Sequence, residues 1–287
     1  MSVVDEAAIR ANVLITARRL HEMVSNGQNV LVLDVRPNSD GSNHASSYHS
    51  GHIPEAVYVN FPAELAGPGG GIRGRRPLPT IENLQRDARN WGLNQNHTVV
   101  TYGDRGPAAR AWWVLRWAGL EKVRLLDGGL EAWIAAGYPI ASEVPKPSTG
   151  NVVFSAGHLP VINADEAAAM ARSGILLDAR SAAQYAGGPV AAGEARSGHI
   201  PGALSAPTDG NLAGDGHFAE PSVLRQRFAA LGLGTKPVGV YCGGGVSATH
   251  EIAALASIGI EASLFPGSWS AWSADPKRPV ATGTKPG

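Results

Sequence analysis

The sequence has one cysteine, no surplus of charge of either sign and no long hydrophobic run. A lone cysteine cannot form an intramolecular disulfide, so the fold does not depend on an oxidising compartment. The 24 Lys and Arg residues balance the 24 Asp and Glu residues, which gives no reason to expect nucleic acid or an anionic membrane as a partner. No apolar stretch approaches the roughly 20 residues that cross a bilayer, and residues 1–20 lack the apolar core of a secretory signal. These absences predict a cytoplasmic protein.

Local clusters of charge or of metal-binding residue types are also scarce. Arg73–Arg76 forms a short basic stretch, which we interpret as a solvated loop. The nine histidines show none of the spacings of a metal site, and no segment resembles a dinucleotide-binding or nucleotide-phosphate loop. The sequence therefore predicts neither a bound metal nor a cofactor.

What the chain does contain is an internal repeat. The segment L-D-V-R at residues 33–36 returns as L-D-A-R at 177–180, and S-G-H-I-P at 50–54 returns unchanged at 197–201. The motifs keep their order and nearly their spacing, which indicates two homologous domains. A length of 287 residues agrees with two domains of ordinary size.

The boundary between the two halves is marked by composition. Residues 144–150, V-P-K-P-S-T-G, are polar and rich in proline, as is typical of a linker. We therefore predict a first domain over residues 1–143 and a second over residues 151–287.

Both halves alternate short apolar runs with segments of helical periodicity, which predicts an α/β fold for each: a parallel sheet with helices on both faces. The predicted strands are Val30–Val35, Thr98–Tyr102, Val123–Leu126, Ile175–Ala179, Val238–Tyr241 and Ala262–Phe265. The predicted helices are Ala108–Trp117, Leu130–Ala136, Ala248–Ser257 and Ser270–Ala274. Ligands of such sheets bind beyond the carboxyl ends of the strands, and this rule favours the loop after Tyr241.

The loop after Tyr241 combines the cysteine with three glycines. It consists of Cys242, Gly243, Gly244, Gly245, Val246 and Ser247. Successive glycines allow N–H groups to turn inward around one point, and the next helix adds its unpaired N–H groups and the positive end of its dipole. Because this arrangement stabilises an anion, we expect Cys242 to react as the thiolate and the loop to hold the terminal sulfur of a persulfide.

Two other interpretations of Cys242 fit the pattern less well. An inert buried cysteine is the common case, but the equivalent position in the first half is Gly103, so the fold does not need a thiol there. Cysteine-dependent phosphatases close a similar loop with an arginine that binds phosphoryl oxygens, and Ala248 stands at that position. The pattern favours a nucleophilic cysteine without phosphatase chemistry.

The D-x-R motifs, the S-G-H-I-P segments, the cysteine loop and G-S-W-S-A-W at residues 267–272 together resemble the tandem-domain rhodanese superfamily, closest to its 3-mercaptopyruvate and thiosulfate sulfurtransferases. The resemblance extends from about Val13 to Val280. It implies two tandem rhodanese-like domains, the first inactive and the second carrying Cys242 as the catalytic nucleophile. It also implies that sulfane sulfur moves from a small donor to a thiol, a thioredoxin-like protein or cyanide through a Cys242 persulfide.

The loop sequence bears on the identity of the donor. In the family that the chain resembles, thiosulfate enzymes tend to carry basic residues directly after the cysteine, whereas mercaptopyruvate enzymes carry C-G-S/T-G-V-T-A. The loop here and the residue after it read C-G-G-G-V-S-A, which favours 3-mercaptopyruvate over thiosulfate. Three positions depart from the family pattern: Gly244 replaces a hydroxyl residue, and Gln184 and Ala192 replace arginines that bind the substrate carboxylate.

Three further residues are candidates for contact with the substrate. Arg180 follows a predicted strand, and Arg196 lies near a family arginine position. His52 corresponds to a proton relay that reaches the site from the first domain in mercaptopyruvate enzymes. Because the inactive half also has the D-x-R and G-H-I-P motifs, a structural ion pair and a structural histidine are the favoured interpretations of Arg180 and His52.

The alternative function is a non-enzymatic persulfide relay or binding module that receives sulfur from a partner protein. The two replaced arginines favour this alternative modestly, because a small donor would lose charged hydrogen bonds worth about 1.5–3 kcal/mol each. A degenerate scaffold is disfavoured, since the cysteine and its glycines are intact.

Overall fold

The structure, a computed structural model, describes residues 3–36 and 45–287. These residues form two compact units. The first unit comprises the described residues up to Gly67 together with Pro79–Leu159 and Asp215–His217. The second unit comprises Pro68–Leu78, Pro160–Gly214 and Phe218–Gly287.

Three segments lie in another unit than the sequence predicts, and one of them is Asp215–His217, which comes from the second half of the sequence but belongs to the first unit. The chain stays on the first unit beyond the expected linker, as far as Leu159, and the Gly150 N–H donates to the carbonyl of Arg89 at 2.8 Å. The segment Pro68–Leu78 comes from the first half of the sequence but belongs to the second unit. The internal repeat therefore does not coincide fully with the division of the folded chain.

The first unit is built on five parallel strands. They are β1 (Leu14–Ile15), β2 (Val30–Val35), β3 (Val57–Tyr58), β4 (Thr98–Gly103) and β5 (Val123–Leu126), in the order β1-β5-β4-β2-β3. Its helices are α1 (Val3–Ala11), α2 (Ala17–Ser25), α3 (Ala45–Ser50), α4 (Phe61–Glu64), α5 (Ile81–Asn90), α6 (Arg105–Trp117) and α7 (Gly129–Ala135). On one face α2 and α7 share a core with Val32 and Val100. The next side chain along β4, Thr101, faces the opposite way and donates its hydroxyl to the Ala108 carbonyl of α6 at 3.0 Å.

The second unit repeats this plan with four parallel strands. They are β6 (Ile175–Asp178), β7 (Leu204–Ser205), β8 (Val238–Tyr241) and β9 (Ser263–Leu264), in the order β7-β6-β8-β9. Its α-helices are α8 (Ala164–Ser173), α9 (Ala182–Tyr185), α10 (Pro221–Ala230), α11 (Ser247–Ser257) and α12 (Ser268–Ala274), and short 3-10 helices cover Gly71–Arg73 and Thr208–Asn211. A parallel bridge between Val161 and Leu264 takes the place of β1.

The predicted α/β fold with two parallel sheets is confirmed. Strands β2, β5 and β8 match the predicted ranges residue for residue. Their runs of valine and leucine are typical of strands buried on both faces of a parallel sheet. In the part of the chain that the structure describes, no helix is both long and apolar enough to cross a membrane.

Candidate active site

The loop between β8 and α11 is held in place by the start of α12. The N–H groups of Trp269 and Ser270 donate to the carbonyls of Cys242 at 2.8 Å and of Gly243 at 2.9 Å. The Cys242 N–H in turn donates to the hydroxyl of Ser268 at 3.1 Å. The loop carbonyls are therefore turned toward α12 and satisfied there.

This orientation decides where the loop N–H groups point. In a trans peptide the carbonyl of one residue and the N–H of the next lie on opposite sides. With the carbonyls of Cys242 and Gly243 bonded to α12, the N–H groups of Gly243 and Gly244 face away from that helix. Val246, the N-cap residue of α11, makes no side-chain hydrogen bond to the first N–H groups of this helix. The loop can thus present several donors to an anion at Cys242.

The three glycines serve different purposes. Gly245 has a φ of 76°, and a Cβ there would lie 2.4 Å from the carbonyl oxygen of Pro266, so no other residue fits without a shift. A Cβ on Gly243 would lie 2.6 Å from Nη2 of Arg75. At Gly244 the nearest atom would be 3.5 Å away, which is ordinary van der Waals contact. Gly245 is therefore needed for the turn and Gly243 for the close approach of an arginine.

A cavity of about 440 Å³ opens on the cysteine loop within the second unit. Its walls are Arg75, Arg76, Ala179, Arg180, Ser181, Gln184, Thr208, Cys242, Gly243, Gly244, Val246 and Ser247. Arg75 and Arg76, which the sequence analysis assigned to a solvated loop, form part of this wall, and Arg75 remains exposed there. Cys242 lies at the cavity with a relative exposure of 2%.

Arg180 lines the cavity but is tied to its own strand end. Its guanidinium donates a bidentate pair of hydrogen bonds to the Asp178 carboxylate, at 3.0 Å and 2.6 Å, and a further hydrogen bond to the Gly198 carbonyl at 2.6 Å. The guanidinium also lies 4.7 Å above the ring of Trp269. Burial lowers the pKa of Arg180, but the hydrogen bonds and charge of Asp178 raise it more. This is the structural ion pair that the sequence favours, with one edge of the side chain at the cavity.

Glu194 is a carboxylate near the loop that the sequence analysis did not single out. It lies 3.3 Å from Nη2 of Arg75 and 3.9 Å from Nη1 of Arg180. Burial raises the pKa of Glu194, and the charges of Arg180 and Arg75 only partly counter this. Glu194 therefore links two arginines of the cavity wall.

Arg196 and Gln184 are both occupied by structural hydrogen bonds. Four carbonyls at the end of α12 accept from the Arg196 guanidinium, those of Trp272, Ser273, Asp275 and Arg278. Arg196 is not among the described residues that line the cavity. The side chain of Gln184 lines the cavity, but its amide oxygen accepts from the N–H and hydroxyl of Ser181 as part of a helix cap. The geometry of Arg196 therefore does not support binding of an anion in the cavity.

His52 lies in the first unit and is fully buried. Its ring stacks on Tyr48 at 3.8 Å, and its two nitrogens lie 2.7 Å and 3.1 Å from the carbonyl oxygens of Tyr48 and Glu143. His199 repeats the stacking in the second unit, on Tyr185 at 3.7 Å. These contacts support the structural interpretation of both histidines, and a part for His52 in proton transfer stays a prediction.

The comparisons with known proteins agree with this geometry. A family model described as a rhodanese-like domain matches residues 16–136 and again 163–275. SseB of Mycobacterium tuberculosis, provisionally named thiosulfate sulfurtransferase, is 44% identical over 96% of this chain and 99% of its own length. A provisionally named 3-mercaptopyruvate sulfurtransferase of Pseudomonas aeruginosa is 41% identical over 94% of this chain and 98% of its own.

A solved structure shares the fold. The crystal structure of the 3-mercaptopyruvate sulfurtransferase SseA of Escherichia coli superposes with a TM-score of 0.79 at 29% identity, covering 89% of this chain and 98% of that one. Two matches to the same domain model, one in each half, agree with the two parallel sheets. The chain therefore belongs to the rhodanese family of sulfurtransferase enzymes.

Proposed function

We propose that the protein transfers sulfane sulfur from a small anionic donor to a thiol or cyanide acceptor through a persulfide on Cys242. One observation carries this proposal: the Cys242 thiol lies at a cavity that has arginines in its wall, on a loop whose N–H groups are turned away from α12. The cavity of about 440 Å³ is adequate for a donor with few heavy atoms.

In the first half-reaction the Cys242 thiolate attacks the sulfur that is transferred, which is the thiol sulfur of 3-mercaptopyruvate or the outer sulfur of thiosulfate. With 3-mercaptopyruvate the C–S bond breaks, its electron pair goes to the carbon, and the proton of the donor thiol ends on that carbon to give pyruvate. With thiosulfate the S–S bond breaks and sulfite leaves with the electron pair. Both routes leave a Cys242 persulfide anion, which the N–H groups of Gly243 and Gly244 and of the α11 N-terminus stabilise.

In the second half-reaction the acceptor attacks the outer sulfur of the persulfide. The S–S bond breaks, and its electrons return to Cys242 as the thiolate. Cyanide leaves as thiocyanate, whereas a small thiol or a thioredoxin-like protein leaves as a persulfide. The cycle is a ping-pong mechanism with no cofactor among its reactants.

The loop pattern C-G-G-G-V-S-A supports 3-mercaptopyruvate as the preferred donor. Thiosulfate is the second candidate, because Arg75 and Arg76 bring positive charge to the loop from another segment. The name of the Mycobacterium tuberculosis relative also supports thiosulfate. A persulfide relay without a small-molecule donor is the alternative outside enzymatic turnover.

The test compares thiocyanate formation from the two donors, with Cys242→Ser as the control. We expect turnover with 3-mercaptopyruvate above that with thiosulfate, and none in the variant. Faster turnover with thiosulfate than with 3-mercaptopyruvate would make thiosulfate the preferred donor and would leave the proposed mechanism unchanged. If neither donor yields thiocyanate, and the intact mass shows a persulfide on the protein after incubation with a cysteine desulfurase, the protein is a persulfide relay.

A further inference from the structure

The segment Pro68–Leu78 supplies a side chain to the unit that holds the cysteine. We propose that Arg75 binds the anionic end of the sulfur donor, the carboxylate of 3-mercaptopyruvate or the sulfonate of thiosulfate. The inference rests on the proposed function, because it names the residue that recognises the donor of that reaction. It goes further by assigning the role to a residue outside the repeated motifs.

The backbone of the segment is fixed against the same helix that holds the cysteine loop. The Arg75 N–H donates to the hydroxyl of Ser270 at 2.9 Å. Gly74 has a φ of 81°, and a Cβ there would lie 2.5 Å from the carbonyl oxygen of Gly267, so this glycine allows the segment to lie close to the start of α12. Arg75 and Cys242 are therefore both positioned by α12, which fixes the distance between their backbones.

The guanidinium of Arg75 lies across the first two glycines of the cysteine loop. Nη2 is 2.6 Å from the position that a Cβ on Gly243 would take, and Nε is 3.5 Å from that on Gly244. The side chain keeps 37% of its exposure. Its hydrogen bonds to the Ala192 carbonyl and to Glu194 use two of the five N–H groups of a guanidinium, so it can also donate to an oxyanion in the cavity.

Arg75 also contacts a position at which the family pattern has a different arginine. Ala192 stands at that family position, and the Arg75 guanidinium bonds to its carbonyl. The Cδ of Arg75 is 2.7 Å from where a Cβ on Gly193 would be, so the side chain fills space above these two small residues. A guanidinium from a distant segment therefore lies beside this position.

The charges around the cavity favour an anion. Arg75, Arg76 and Arg180 face two carboxylates, and one of these, Asp178, is paired closely with Arg180. The other, Glu194, is shared between Arg75 and Arg180. The described residues that line the cavity therefore include three arginines and no carboxylate.

The test uses Arg75→Gln with Arg73→Gln as the matched control, since Arg73 is an exposed arginine of the same segment that does not line the cavity. Loss of a charged hydrogen bond predicts a fall in kcat/KM of roughly 10- to 100-fold with mercaptopyruvate, thiosulfate or both, mainly through KM. A larger loss with one donor identifies the anion that Arg75 binds. Arg73→Gln should stay within about twofold of the parent.

A second readout does not depend on sulfur transfer. Cys242 is the only cysteine, so its alkylation by anionic iodoacetate and by neutral iodoacetamide can be followed by intact mass. Arg75→Gln should lower the ratio of the iodoacetate rate to the iodoacetamide rate several-fold, and Arg75→Lys should restore part of it. An unchanged ratio, or an equal loss with both reagents, would overturn the assignment. If neither donor is turned over by the parent protein, the proposed function fails while the alkylation ratio still decides the role of Arg75.

Discussion

The two units share a frame and differ at the point where the central strand meets its helix. In the first unit only Asp104 stands between β4, which ends at Gly103, and α6. In the second unit the whole stretch from Cys242 to Val246 separates β8 from α11. The added residues create the turn whose N–H groups surround the thiol position. The difference is therefore one of loop length as well as of a single residue.

The backbone at Gly103 shows the same contrast at atomic scale. Gly103 has a φ of 131°, and a Cβ there would lie 2.3 Å from the carbonyl oxygen of Val35. Cys242 at the equivalent place has its side chain at the wall of the cavity. The first unit could not regain the reactive group by substitution alone.

The parts that the two units share are structural. Asp34 pairs with Arg36 at 2.9 Å, as Asp178 pairs with Arg180, and Tyr102 donates its hydroxyl to Asp34 at 2.7 Å. The indole N–H groups of Trp133 and Trp272 both donate to a proline carbonyl, at 2.7 Å and 2.8 Å. Elements that occur in a unit without a thiol hold the sheet and its loops together, and this explains why the motifs identify the family without locating the chemistry.

The largest expected effect comes from removing the thiol. Cys242→Ser should lower turnover by at least about a thousandfold, because the weaker nucleophile cannot form a persulfide. The fold should be unchanged, since the oxygen is smaller than sulfur. Thiocyanate formation and the urea unfolding midpoint measure the two effects. Retained turnover would mean that the chemistry does not use this loop.

Moving the thiol to the first unit tests whether the units differ only at one residue. In a Cys242→Ser background, Gly103→Cys should restore no activity and should cost about 1–3 kcal/mol of unfolding free energy from backbone strain and the contact with Val35. Gly137→Cys is the matched control in the same unit, because Gly137 has a φ of 75° but no atom within 4 Å of its Cβ position. Activity in the Gly103 variant would show that loop length is unimportant.

The roles of Gly244 and Gly245 in the second-unit loop can be distinguished by comparing the same substitution at each position. Gly245→Ala should lose activity on the order of 100-fold and destabilise the unit, because its φ and the Pro266 oxygen force the loop to move. Gly244→Ala should change activity only a few-fold, since its nearest neighbour is 3.5 Å away. Steady-state kinetics with either donor gives the comparison. Equal losses at the two positions would contradict the distinct roles assigned to them.

The smallest expected effect concerns pH. Burial raises the pKa of Glu194 above its ordinary value of 4.5, so the folded state binds this proton more tightly than the unfolded state does. Its stabilising contribution is present below pH 4.5 and is lost as pH rises through the raised pKa. Glu194→Gln should therefore flatten the dependence of the urea midpoint on pH above 4.5. An unchanged slope would show that the charges of Arg180 and Arg75 cancel the effects that burial and the charge of Asp178 have on the pKa of Glu194.

The strands and helices that pack locally were the easiest features to predict. Val238–Tyr241 is apolar throughout and lies at the centre of a parallel sheet, where burial on both faces requires such a run. The two-residue strands β1, β3 and β7 were missed, because runs this short carry no periodicity. Their pairing is decided by the neighbouring strand.

The candidate site was predicted in part. The loop from Cys242 to Ser247 could be located because the cysteine, the glycines and the helix that follows are contiguous. Arg75 could not, since its neighbours in sequence are glycines and arginines that also suit a solvated loop. The run of glycines before it was the one available signal, because it indicates a backbone that approaches another closely.

The amino-acid sequence alone was sufficient for the repeated α/β frame, the position of the cysteine and the absence of a thiol in the first half, because these depend on short-range patterns and residue identity. The tertiary structure decided which charges stand beside that cysteine. It ties Arg196 to a helix end, pairs Arg180 with Asp178, and sets Arg75 over the glycines of the loop. The physical reason is that the direction of a long charged side chain follows from the carbonyls and carboxylates within its reach, and these come from segments far away in the chain.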